Sequence, residues 1–398
     1  MRIPSLPECH LTYCTNIHPG EAWPEVFENL QQHLPSIKKS VSPDKAMGLG
    51  LRLSAVAALE LAMDENLLMG FYDWLAQEDL YVFTLNGFPF STFHGEEVKE
   101  RVYQPDWASE DRLNYTKNLA LLLAEILPAG LQGSISTVPV GFKPDFADES
   151  KTNLAVNALL DYVVFAIELE ERTGKLISLA LEPEPGCFLE DVKSTVDFFN
   201  HKIFTQNSIG YLRNSLDERF SIDLDTIRRY LGVCLDTCHA AVMFESPLEM
   251  AEALKRNYIP IHKVQLTAAL KVENISEEKK EMLRPFAENI YLHQTSIKNE
   301  SRKIVDFYLD LSEALDKVVL GSELRSHFHV PVFVEDLSGL KTTQQDLVEL
   351  LESFEQNDWT PHLEVETYTF DVLPDALKVS SVEENISREL LWVLDKLQ

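Results

Sequence analysis

LALEP at Leu179–Pro183, GVCLD at Gly232–Asp236, KVQ at Lys263–Gln265 and LEVE at Leu363–Glu366 are apolar runs that each carry a metal-compatible polar residue at or near their end. Those residues are Glu182, Asp236, Gln265 and Glu366. Residues in phase with them are small or polar: Ser178 and Ala180, Gly232 and Cys234, Lys263, His362 and Glu364. Residues out of phase are Leu, Val or Ile. A period of two places alternate side chains on opposite faces of a strand, so one face packs on an apolar layer and the other collects carboxylates and an amide. Such strands predict a parallel barrel with helices outside and a polar mouth.

Working outward, eight strands are expected: Leu11–Asn16, Gly48–Ser54, Tyr81–Asn86, Ser134–Val140, Ile177–Glu182, Gly232–Asp236, His262–Thr267 and His362–Thr367. Between them lie amphipathic stretches such as Trp23–His33, Asn114–Ile126, Asn153–Glu171 and Thr342–Phe354, with apolar residues three and four apart. The expectation is an α/β fold, a closed (β/α)8 barrel forming one domain over residues 1–398. The same parity turns Leu49, Leu51, Leu53, Phe83 and Leu85 toward the helices and leaves Gly50, Arg52, Ser54, Thr84 and Asn86 inside. A charged, helix-prone insertion is expected at about 272–325, between the seventh and eighth strands, where it extends the functional face.

Composition narrows the function. A formal charge of -29 repels polyanions, so a general nucleic-acid binder is disfavoured, while a metal ion or small neutral or cationic substrate is not. Acidity by itself also serves solubility. The first residues lack a long apolar core, and no run of about 18 uncharged apolar residues follows. A cytoplasmic protein without a membrane span is expected. Five scattered cysteines argue against a disulfide framework.

Catalytic groups of such barrels gather at the C-terminal strand ends. Glu182, Asp236, Gln265 and Glu366 all reach that level and, as hard oxygen donors, suit Mn, Mg, Co or Zn with positions open for substrate. The plain alternative is that each carboxylate caps the helix that follows. His239, three residues beyond Asp236 in DTCH, is a ligand or acid/base candidate. His327 and His329 in SHFHVP alternate onto one side of an extended segment and can chelate one ion; a packed structural pair is the alternative. His94, in the aromatic loop NGFPFSTFHG, is a weaker candidate, placed with Arg52 and Asn86 as a substrate contact. Glu184 in EPEPG is less certain than Glu182. Walker, nucleophile-elbow and dinucleotide-binding glycine motifs are absent.

The order Glu, Asp-x-x-His, polar ligand, Glu on strands five to eight resembles the xylose isomerase-like barrels, which include sugar phosphate isomerases, ketose epimerases and zinc-dependent apurinic endonucleases. More closely, TYCTNIHPGEAWPEVF, NGFPF, FHG, LEPEPGC, LDTCH, HFHVP and HLEVETYTFDVLP resemble the EboE family of metabolite traffic proteins across essentially the whole chain. That resemblance implies handling of a small secondary-metabolite precursor, with partner proteins encoded nearby, and supplies no reaction. The superfamily usually carries histidine on strand seven, where this chain has Gln265. The site then either prefers Mg or Mn, is completed by His327 and His329, or has kept binding and lost catalysis.

Three functions follow as expectations. The leading one is a metal-dependent isomerase or epimerase that abstracts a proton next to a carbonyl, with Glu182 and Glu366 as acid and base on opposite sides and His239 as a relay. The second is a multinuclear metallohydrolase of a small phosphoester, with an additional zinc on His239, His327 and His329. The third is a non-catalytic metabolite carrier.

Overall fold

The computed structural model describes residues 1–94, 98–299, 304–337, 339–372 and 381–398. Gly95 of the FHG motif, residues 300–303 of the expected insertion, and Leu373 and Pro374 of the last motif lie outside the described residues. Seven strands alternate with helices: β1 His10–Tyr13, β2 Met47–Arg52, β3 Leu80–Asn86, β4 Gly133–Thr137, β5 Ile177–Leu181, β6 Leu231–Asp236 and β7 Ile261–Leu266. An antiparallel sheet follows, of β8 Ala268–Val272, β9 Thr295–Lys298, β10 Ile304–Tyr308, β11 Glu323–Val330, β12 Asp336–Leu337 and β13 Leu340–Thr342; β14, His362–Val365, then completes the barrel. The eight barrel strands are parallel, in the order β1-β14-β7-β6-β5-β4-β3-β2. The protein has the (β/α)8 fold.

Local chemistry accounts for the helices that hold the strands apart. Asp148 caps Glu149–Thr173 through the Ser150 amide, and Gly174, at φ 70°, ends it in a left-handed turn. This helix is long and apolar enough to cross a membrane, yet Leu159, Val163 and Ala166 are buried against the barrel.

The barrel closes between β1 and β2 in an unusual way. A single bridge joins Cys14 to Gly50, and the Gly50 and Arg52 amides donate to the hydroxyls of Thr12 and Thr15 at 2.9 Å each. Two side chains thus replace most of a backbone ladder.

Inside the barrel, Lys263 and Glu364 pair at 2.6 Å with both side chains fully buried. Glu364 needs the missing side chain of Gly50, since a Cβ there would overlap its Oε2. Below, His362 Nδ1 meets Ser134 Oγ at 2.7 Å, and Ser134 meets Thr84 at 2.8 Å. Phe83 departs from the expected parity. The pairing of β2 with β3 slips between Leu49 and Gly50, so Phe83 turns inward, 4.9 Å from the His362 ring, into space left by Gly48.

The inserted segment also differs from expectation. Two short helices, Glu277–Leu283 and Leu311–Lys317, are present, but the segment is mainly a six-stranded sheet spanning residues 268–342. Its β8 pairs with β11, more than fifty residues later in the chain, so local propensity could not disclose the ladder. Leu270, Ile297, Leu324 and Phe328 of this sheet share one hydrophobic cluster with Leu179 and Val233 of the barrel.

Candidate metal centre

Three strand ends bring Glu182, Asp236 and Glu366 together. One carboxylate oxygen from each lies within 4.8 Å of the others, and all three side chains are buried. Asp236 caps the helix Thr237–Val242, its Oδ1 accepting from the amides of Cys238 at 2.7 Å and His239 at 3.0 Å. At Asp236 the capping alternative is therefore realised, but by one oxygen; among the described residues Oδ2 has no hydrogen-bond partner, and neither has Glu182 Oε2. Glu366 is aimed by two amides: Asn16 and Asn86 both donate to its Oε1, at 2.7 and 2.8 Å.

Burial first, then neighbouring Glu366 and Asp236, pushes the Glu182 carboxyl well above its ordinary range. Glu366 is raised likewise by burial and by Asp236 and Glu364, and Asp236 by burial. Three carboxylates this close in a dry site remain ionised together only with a compensating cation. The buried oxygens without donors are what a hard divalent ion would satisfy, so the residues fit such an ion.

A second group adjoins the first. The His239 ring lies 4.7 Å from that of His327 and 5.7 Å from that of His329. His327 and His329 occupy β11, and their Nε2 atoms face each other at 2.9 Å. Each Nδ1 of the three meets an acceptor: His239 the Pro183 carbonyl at 3.0 Å, His329 the Glu366 carbonyl at 2.6 Å and His327 the Gln294 Oε1 at 2.7 Å. Burial lowers all three, His329 to about 4 and His327 well below the usual imidazole value, so neutral rings present Nε2 lone pairs. Ligand atoms of Asp236, His239 and His329, of Glu184, His239 and His327, and of Cys238, His327 and His329 each fall within 4.8 Å. Nitrogen donors of this kind suit zinc or another late transition ion.

A cleft opens over both groups, lined among others by Glu182, Glu184, His239, His327, His329 and Glu366. Phe93, Tyr291 and Tyr368 form an aromatic wall, ring centroids 5.0 to 5.2 Å apart, and Tyr368 reaches the His329 ring at 4.5 Å. Lys99, which lines the cleft, is committed to Asp310. The loop after β3 is pinned by Arg112, whose buried guanidinium donates to the carbonyls of Gly87, Phe88 and Pro105.

Of the remaining expected residues, Asn86 lines the cleft, and Gln265, Arg52 and His94 do not. Gln265 is in register with Asp236 and Glu364, one inward step below Glu366, and its Oε1 accepts from Cys234 Sγ at 3.2 Å while its Nε2 has no partner among the described residues. Arg52 does not line the cleft; Gly20 O, Glu21 and Ser91 O occupy its guanidinium, making it a strut between mouth loops. His94 stands behind the wall, its Nε2 2.5 Å from Asn16 O. Asn86 both lines the cleft and donates to Glu366 Oε1. Asn16, set at the end of the expected first strand, lies instead in the 3-10 turn Thr15–Ile17 beyond β1, and Tyr103, Tyr291, Gln294 and Tyr368 lie outside the barrel strands, where no period marks them.

A (β/α)8 barrel carrying buried carboxylates and imidazoles at its C-terminal mouth is the class that fold and site define. Solved structures similar to it include a xylose isomerase-like TIM barrel. One, a xylose isomerase-like TIM barrel protein from Mycobacterium smegmatis in complex with magnesium, matches with TM-score 0.51 and 11% identity over 98% of both chains. A D-tagatose 3-epimerase-like protein matches with TM-score 0.48 and 12% identity over 97% of this chain and 98% of that one. The IOLI protein with a binding zinc atom matches with TM-score 0.47 and 11% identity over 98% of each. No protein-family model and no curated protein sequence matches the chain.

Proposed function

We propose that the protein is a divalent-metal-dependent isomerase or epimerase that moves a proton at the carbon next to a carbonyl of a small hydroxylated metabolite. The observation that carries this reading is the triad Glu182, Asp236 and Glu366, three buried carboxylates with two oxygens lacking any donor among the described residues. These three would hold the ion, and the bound ion would polarise a substrate carbonyl. Glu182 and Glu366 stand three strands apart round the barrel, so each addresses a different face of a molecule bound between them. One carboxylate removes the proton and the other returns it. Asn16 and Asn86 hold Glu366 in place for that exchange, and the aromatic wall excludes water. Among the described residues lining the cleft, the lysine is already paired, which favours an uncharged substrate over a phosphorylated one. The motif resemblance to EboE supports a secondary-metabolite precursor as the molecule handled and proteins encoded nearby as partners.

The test is solvent exchange. Protein loaded with manganese is incubated in heavy water with unphosphorylated ketoses and hydroxyketones, and proton NMR follows the carbon next to the carbonyl. Deuterium is expected there, with loss of about 10²-fold or more in Glu182→Gln and Glu366→Gln. Absence of exchange across the set, with binding retained, would favour a carrier.

A second reading draws on the histidine group: an additional zinc on His239, His327 and His329, and hydrolysis of a small phosphoester. Two or three ions per chain together with turnover of a phosphomonoester would favour it; a single ion with proton exchange favours the first.

A further inference from the structure

We propose that Gln294, at the entrance of β9 in the inserted sheet, is a tautomer lock that keeps the histidine group open as a metal seat. The inference rests on the reading of His239, His327 and His329 as metal ligands.

The orientation of the Gln294 amide is fixed by what surrounds it. Its nitrogen faces Glu184 Oε1 at 2.8 Å, the Tyr103 hydroxyl at 2.8 Å and the Pro185 carbonyl at 3.1 Å. Carbonyls and carboxylates only accept, and the Tyr103 hydroxyl spends its own proton on Glu184 at 2.6 Å. The amide oxygen therefore points at His327 Nδ1, 2.7 Å away, and that ring nitrogen must donate. A neutral ring that donates through Nδ1 carries a lone pair on Nε2.

The consequence appears at the facing pair. His329 Nδ1 is held as a donor by the Glu366 carbonyl, so His329 Nε2 is also a lone pair. Two lone pairs 2.9 Å apart repel unless something positive sits between or beside them. A cation relieves the repulsion while His327 stays locked. Without the lock, His327 moves its proton from Nδ1 to Nε2 and donates it to His329 Nε2. That N–H···N bond satisfies both rings and fills the place of the ion. His239 and His329 are held by backbone carbonyls, which no substitution removes; His327 alone is held by a side chain. Gln294 is thus a positioning residue, acting through His327 and supplied by the inserted sheet.

The experiment uses the full-length chain labelled with ¹⁵N-histidine. In metal-free protein, long-range proton–nitrogen correlation spectra should show His327 protonated on Nδ1 in the wild type and on Nε2 in Gln294→Leu. Cobalt(II), added alone and followed by its visible absorption, should bind the histidines at least about tenfold more weakly in that variant. Gln294→Glu, with its second oxygen protonated toward Glu184, keeps an acceptor opposite Nδ1 and in that form should restore the wild-type tautomer and most of the affinity. Wild-type His327 protonated on Nε2, or Gln294→Leu with tautomer and cobalt affinity unchanged, would overturn the lock. Equal cobalt stoichiometry in the wild type and in His327→Ala combined with His329→Ala would instead overturn the metal seat, and the tautomer spectra of metal-free protein would still decide the role of Gln294.

Discussion

Asp236 divides its labour between two oxygens, one holding the start of a helix and one, among the described residues, left without a partner beside two other carboxylates. Glu182 shows what such an arrangement costs when no ion is present. Its folded pKa lies above the unfolded one, so between those values the folded state binds more protons and stability falls as pH rises. Metal-free Glu182→Gln lacks that proton. It should be more stable than the metal-free wild type at pH 7.5 by about 1–3 kcal/mol, with the gap closing as pH falls toward the ordinary carboxylate range. Thermal unfolding at several pH values checks this, and parallel curves for the two proteins would contradict it. Gln265 makes a second residue-scale case. Turning its amide over would let the nitrogen donate to the Cys234 sulfur and free the oxygen. Replacement by His at this position should raise zinc affinity relative to magnesium by about tenfold or more if the side chain reaches the ion, since imidazole favours the later transition metals. Competitive metal titration reads the ratio, and an unchanged ratio places Gln265 outside the coordination sphere.

The strands β5, β6, β7 and β14 declare themselves through period two because one of their faces is apolar throughout, and the inward set of each was legible down to Glu182, Asp236 and Glu366. Where parity failed, at Phe83, a slip in pairing with β2 reversed the face, and pairing is not written in one strand alone. The inserted sheet was hidden for a related reason. Its strands are charged on one side and find partners far along the chain, so the segment reads as helix-prone. Residues that orient ligands, Asn16, Gln294 and Tyr103, follow no period and emerge only from the three-dimensional contacts. The HFH segment lies in a strand whose Phe328 joins the main hydrophobic cluster, not in a loose loop. Replacing both His327 and His329 by Ala should therefore lower stability by about 2 kcal/mol while leaving unfolding cooperative, and should remove an ion bound by nitrogen donors. Calorimetry with metal analysis checks both; cooperative unfolding with metal content unchanged would identify a packing pair.

At the scale of the whole molecule, the barrel interior holds Glu182, Glu364, Asp236 and Glu366 against the single buried amine of Lys263 among the described interior strand residues. A cation at the mouth should therefore stabilise the entire domain, by about 2.7 kcal/mol at a hundredfold excess over Kd. Thermal melts in chelator, magnesium, manganese and zinc measure it, and four identical melting temperatures would exclude a structural ion. The closure between β1 and β2 carries a further consequence. Because two threonine hydroxyls stand in for a ladder, this seam should be where the cylinder breathes most readily, and the chain running on from β1 reaches Asn16, which holds Glu366. Deuterium uptake at the Gly50 and Arg52 amides should outpace that at Leu179 and Leu181 of β5, and Thr12→Val should quicken it further. Uptake no faster at the seam than in β5 would refute this. If the seam does open first, the grip on Glu366 loosens with it, and the rate at which the molecule surrenders its ion is set by a hinge on the far side of the carboxylate, not by the ligands alone.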